Sequence, residues 1–201
     1  MSRPSAKTPA PPADGQVCAL FAVDIAGFTG PHRDDDIRLY LHEELYQVLH
    51  KAFDGSGIPW ADCFCEDRGD GALIVVPPVV PCKGLIDPLP ERLRGLIRRH
   101  NHVSRDAAGI QLRAAAHIGP VEYDGHGFVG TDINLLFRML DARPLHAVVS
   151  LRIALDVTLS RVDFPGAYIL PDSFSPFVNV AIPAVFPRHP RQPAPEFFRV
   201  A

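Results

Sequence analysis

Residues 17–24, VCALFAVD, form an unbroken apolar run closed by an acid. A run of that length fits a strand buried on both faces, and its last residue puts a charge where the strand tip opens. A turn with Gly27 and Gly30 follows, and from Asp34 the period changes. Ile37, Leu41, Leu45, Val48, Leu49 and Phe53 recur at helical spacing, behind Asp34, Asp35 and Asp36, whose charge suits the positive end of a helix dipole. A helix is predicted there, ending near Gly55. Residues 58–67 and 71–77 flank Arg68-Gly69-Asp70-Gly71 and read as a hairpin with Asp70 at its turn.

A second helix is predicted from Pro90, with Leu93, Leu96 and Ile97 turned inward and Arg92, Arg94, Arg98 and Arg99 on a solvated face. A strand at 110–118 leads into a bend through Gly119, Gly125, Gly127 and Gly130, then a third helix from Thr131. The proline-broken remainder is expected to hold strands at 147–151, 176–183 and 196–200 and a helix at 152–161. Strands and helices mix without a regular βα repeat. The expected fold class is therefore α+β, a mixed, mainly antiparallel sheet with helices packed on it.

At 201 residues, 47% of them hydrophobic, the chain suffices for one core. Residues 16–201 are expected to form a single domain behind a disordered, proline-rich tail at 1–15, which lacks the apolar stretch of an export signal. A net charge of −3 offers no basic surface for nucleic acid, and no run reaches the roughly 20 apolar residues that cross a bilayer. Neither nucleic acid nor membrane is expected as a partner, and a cytoplasmic location is. Cys18, Cys63, Cys65 and Cys82 show no metal-ligand spacing and read as reduced thiols.

Three segments carry chemistry: FAVDIAGFTG at 21–30, CEDRGDGALIVV at 65–76 and RAAAHIGPVEYDGHGFVGTDINLLFRMLDA at 113–142. The first two place Asp24 and Asp70 at strand ends beside glycines that admit close backbone approach. Two neighbouring carboxylates repel unless divalent cations lie between them, and oxygen donors point to Mg²⁺ or Mn²⁺. In the third segment Asn134 and Arg138, four apart on a helix, leave one face together with Thr131. His117 and His126 form no metal-like cluster and read as structural.

Together these segments resemble the signature blocks of class III nucleotidyl cyclases, the adenylyl and guanylyl cyclase homology domain, over residues 17–143. The resemblance implies a ferredoxin-like palm fold with two Mg²⁺ or Mn²⁺ ions per site, held by Asp24, Asp70 and the Ile25 carbonyl. It further implies that Asn134 orients the ribose and Arg138 stabilises the transition state. The implied reaction is in-line attack of the ribose 3′-hydroxyl on the α-phosphate of a nucleoside triphosphate, releasing pyrophosphate. Backbone N–H groups of Ala26, Gly27, Phe28 and Thr29 suit the β and γ phosphates. The acids and the Asn–Arg pair come from different subunits in that family, so a symmetric homodimer with interfacial sites is expected.

Two positions that set base choice in the family correspond to Glu66 and Gly127. Adenylyl members carry lysine and aspartate there, and guanylyl members carry glutamate and commonly cysteine, so half of the guanine pattern is present. The layout also resembles the pyrimidine cyclases of bacterial Pycsar antiviral systems, which make cyclic UMP or cyclic CMP for a separate effector. That subtype ranks just ahead of a guanylyl or adenylyl cyclase. A catalytically silent nucleotide-sensing or dimerisation module remains the alternative, as do palm-domain polymerases and diguanylate cyclases, which lack the Asn–Arg helix. The family's late phosphate-binding basic residue has Arg188 and Arg191 as candidates.

Overall fold

The computed structural model describes residues 9–141, together with the backbone of two short strands at 167–169 and 178–183. The elements are β1 (Gln16–Ile25), α1 (Asp35–Gly55), β2 (Phe64–Asp67), β3 (Gly71–Val76), α2 (Leu89–Val103), β4 (Leu112–Tyr123), β5 (Phe128–Val129), α3 (Thr131–Leu140), β6 (Ala167–Ile169) and β7 (Val178–Pro183). The sheet runs β2-β3-β1-β4-β7-β6, with β5 paired to β4 off this path. All these pairings are antiparallel except β4 with β7, which is parallel. The mixed, mainly antiparallel sheet expected from the sequence is the one observed.

The apolar run forms β1 because it lies at the centre, between β3 and β4, and is covered on both faces. Successive side chains alternate, so Ala19, Phe21, Val23 and Ile25 join the core under α1 and α2. Cys18, Leu20 and Ala22 face the opposite way, into a second core under α3. Continuing the alternation, Asp24 falls on the α3 side.

Helix α1 starts where Asp34 accepts a hydrogen bond from Ile37 N at 2.9 Å, and it buries Leu41, Leu45, Val48, Leu49, Ala52 and Phe53. It ends at Ser56, whose hydroxyl donates to Ala52 O at 2.7 Å, followed by Gly57 at φ +74°. In α2 the stripe Leu93 and Ile97 is buried as expected, and Arg92, Arg98 and Arg99 are exposed. Helix α3 buries Ile133, Leu136, Met139 and Leu140.

The structure departs from expectation ahead of β2. Residues 60–62 form a 3-10 turn rather than strand: Trp60 N donates to Asp54 Oδ1 at 2.8 Å and its ring meets Phe53 edge-on at 5.4 Å, which anchors the chain to the end of α1. β4 runs to Tyr123, past the expected end at 118, because its extension pairs with β5. β6 was not foreseen, whereas β7 overlaps the expected strand at 176–183. The expected elements at 147–151, 152–161 and 196–200, and Arg188 and Arg191, lie outside the described residues. Among the described residues no helix is long and apolar enough to cross a membrane.

Candidate active site

Asp24 is the penultimate residue of β1, only 7% exposed, and stands opposite Arg113 in the β1–β4 register. Opposed residues of an antiparallel pair share a face, so the guanidinium reaches the carboxylate directly. Arg113 Nε donates to Oδ1 at 2.8 Å and NH2 to Oδ2 at 2.6 Å, a bidentate pair. Burial pushes the Asp24 carboxyl up from its ordinary range; Arg113 pulls it back, while the charges of Asp70 and Asp141 push it further up. The net displacement is upward.

Asp70 arrives at the same place from the β2–β3 turn. Gly69, at φ +80°, donates to Asp67 Oδ1 at 2.7 Å and turns the chain sharply. Gly71 then pairs with Asp24 across the sheet, where a Cβ would run into Val23 O. Ile25 N donates to Asp70 O at 2.9 Å, which ties the two acid-bearing ends together.

The groups brought together here are two carboxylates, hard oxygen ligands, while the Ile25 carbonyl accepts from Phe28 N at 3.3 Å. Such a set fits Mg²⁺ or Mn²⁺, ions that bind through one or two carboxylates and keep other positions for water and phosphate oxygens. Among the described residues no group of three or more His, Cys, Asp or Glu could form an all-protein cage. Both Asp24 oxygens are engaged by Arg113, so a cation entering must share that carboxylate with the guanidinium or displace it.

In the turn after Asp24, Ala26 N donates to Gln111 O at 2.8 Å and Phe28 N to Ile25 O at 3.3 Å. These two N–H groups are therefore already used within the chain. Gly27 and Thr29 are the positions of that turn whose N–H groups carry no such backbone bond among the described residues.

Among the described residues no hydrogen bond or ion pair joins Asn134 or Arg138 to Asp24 or Asp70. Asn134 and Arg138 stand with Thr131 on the exposed face of α3, while the opposite face is buried against the sheet. The start of α3 is fixed by His117, whose Nε2 lies 2.6 Å from Asp132 Oδ1, and by Gly119, where a Cβ would strike the Asp132 side chain.

Glu66 and Gly127 do meet. Glu66 Oε2 accepts from Phe128 N at 3.2 Å, and a Cβ at Gly127 would lie 2.9 Å from Glu66 Oε1. Asp124 Oδ1 accepts from His126 N at 2.8 Å and Gly127 N at 2.9 Å, shaping the loop that presents Gly127.

Arg113 is the residue that sequence reasoning missed. Its signal was a lone cation in the apolar segment LRAAAHI, since a buried charge needs a partner, but the partner is 89 residues away.

No protein-family model matches the chain, and no curated protein matches it in sequence. Solved structures do match. An adenylate/guanylate cyclase/hydrolase from Silicibacter pomeroyi is 16% identical over 71% of this chain and 84% of its own, with a TM-score of 0.50. The guanylate cyclase domain of RhGC from Catenaria anguillulae, in complex with GTP, is 21% identical over 64% and 74%, with a TM-score of 0.47. A guanylyl cyclase domain of the RhoGC fusion protein from Blastocladiella emersonii is 21% identical over 62% and 72%, at 0.45. The likeness to the Silicibacter pomeroyi protein shows a shared fold, the α+β palm expected from the sequence.

Proposed function

We propose that this chain is a metal-dependent class III nucleotidyl cyclase that converts a nucleoside triphosphate to a 3′,5′-cyclic monophosphate and pyrophosphate. The observation that carries the reading is the approach of Asp24 and Asp70 at neighbouring ends of β1 and β3. Nothing in packing alone calls for a second acid beside a buried one, because each destabilises the charge of the other.

Asp24, Asp70 and Ile25 O would hold Mg²⁺ or Mn²⁺, which when bound makes the 3′-hydroxyl more acidic and holds the departing pyrophosphate. Arg113 keeps Asp24 ionised and in place until then, and its guanidinium lies within reach of the same site. The N–H groups of Gly27 and Thr29 would bind phosphate oxygens. Asn134 and Arg138 would come from a second copy of this chain, with Asn134 holding the ribose and Arg138 meeting the charge that grows on the phosphorus. Their exposed position on α3 supports that division.

Glu66 in place of the adenylyl lysine disfavours ATP. The pyrimidine and antiviral readings rest on the sequence resemblance alone.

Incubating the purified protein with ATP, GTP, CTP or UTP and Mn²⁺, and identifying products by mass, tests the proposal. One or more cyclic monophosphates should form, and Asp70→Ala should abolish them. Nucleotide binding without any product would favour a catalytically silent sensing module, the reading that the Arg113 clamp on Asp24 supports.

A further inference from the structure

Glu66 and Gly127 cannot act as two independent readers of a base. The Glu66 carboxylate already stands where a side chain at 127 would have to go, so Gly127 serves to make room. A second group that reads the base must come from elsewhere, and the charged group beside Glu66 is Arg68. Arg68 NH2 lies 2.8 Å from Glu66 Oε1, and its guanidinium carbon sits 5.0 Å from the centre of the Phe137 ring. The side chains are 37% and 26% exposed, so both remain open to a ligand. Phe137 lies between Asn134 and Arg138 on α3, which places this pair beside the proposed ribose and transition-state groups.

Resting on the cyclase reading, we propose that Arg68 is a base-specificity residue. With Glu66 it forms one acceptor–donor unit that selects bases carrying a ring N–H next to a carbonyl, uracil and guanine, over cytosine and adenine. A carboxylate only accepts hydrogen bonds and a guanidinium only donates them. The ring N–H of uracil or guanine donates to Glu66, the adjoining carbonyl accepts from Arg68, and both bonds are charge-assisted. Cytosine and adenine turn a ring lone pair toward the carboxylate instead. To pair, they must slide along the edge by one group. The unit does not follow, because Phe128 N–H holds Glu66 and the Phe137 ring holds Arg68.

The full chain, Arg68→Met and Arg68→Lys are to be compared on UTP, GTP, CTP and ATP, by kcat/KM with Mn²⁺ and by equilibrium binding with Ca²⁺ in its place. The wild type should favour UTP and GTP in both measurements. Arg68→Met should lose roughly 10- to 100-fold of that preference, the worth of one charge-assisted hydrogen bond, and Arg68→Lys should keep part of it. A uniform drop across all four nucleotides would mark Arg68 as merely structural, and unchanged ratios would overturn the proposal as well. If the wild type makes no cyclic product, the cyclase reading fails on its own. The binding preference and its response to Arg68→Met then still judge the base reading.

Discussion

The charge on Asp24 depends on one neighbour. In a site this enclosed, water contributes little, so the bidentate bonds from Arg113 supply most of what keeps the carboxylate ionised. The folded-state carboxyl is raised by burial nonetheless, so the native protein binds a proton there more readily than the unfolded chain. A group with that sign contributes stability at acidic pH that is lost as pH rises through its folded value. Removing Arg113 exaggerates the effect, because the pull downward goes and the push upward stays. Arg113→Met should therefore cost less near pH 4 than near pH 7.5, where a buried carboxylate left alone costs about 3–5 kcal/mol. Urea denaturation of both proteins at the two pH values measures the gap. Asp24→Asn combined with Arg113→Met should close most of it, and a gap that does not widen with pH would show that the pair is not what holds the charge.

The two acids meet because β3 crosses close to β1, an event at the scale of strands. Gly71 is the contact point, since a side chain there would enter the space of the Val23 carbonyl. Gly71→Ala should destabilise the protein by about 3 kcal/mol and displace Asp70. Gly95→Ala is the matching control: it sits inside α2 with open space around it, so it should be neutral or stabilise by up to about 1 kcal/mol. Equal denaturation midpoints for Gly71→Ala and wild type would disprove the close crossing. The sequence announces these elements unevenly. VCALFAVD fits a buried strand and the spacing from Leu41 to Phe53 a helix, because local pattern speaks directly to both. Asp70 at a hairpin turn followed from its flanking glycines. The Arg113 partner was not legible, because it depends on the register of β1 against β4, which no local pattern encodes. The 3-10 turn at Trp60 was missed for a similar reason: an aromatic contact with α1 overrides an apparent strand run.

At the scale of the whole molecule, the proposed function divides each site between two copies of the chain. The acids lie at the sheet end, buried or half-buried, while Asn134 and Arg138 stand exposed on α3. In a two-fold pair of copies each would lend its α3 face to the acids of the other. Such an arrangement makes a prediction that a single-copy site does not share. Asp24→Ala and Arg138→Ala chains should each be inactive alone. In a mixed dimer one site combines both defects and the other has neither. Random mixing of equal amounts puts half of the dimers in the mixed form, each with one working site of two, so about a quarter of wild-type activity should return. The mixture must first be unfolded and refolded together, or co-expressed, so that subunits exchange. Recovery that rises with the mixed fraction and peaks at equal amounts supports shared sites. No recovery, with mixed dimers shown to be present by mass, would overturn the shared sites and place Asp24 and Arg138 in the site of one copy.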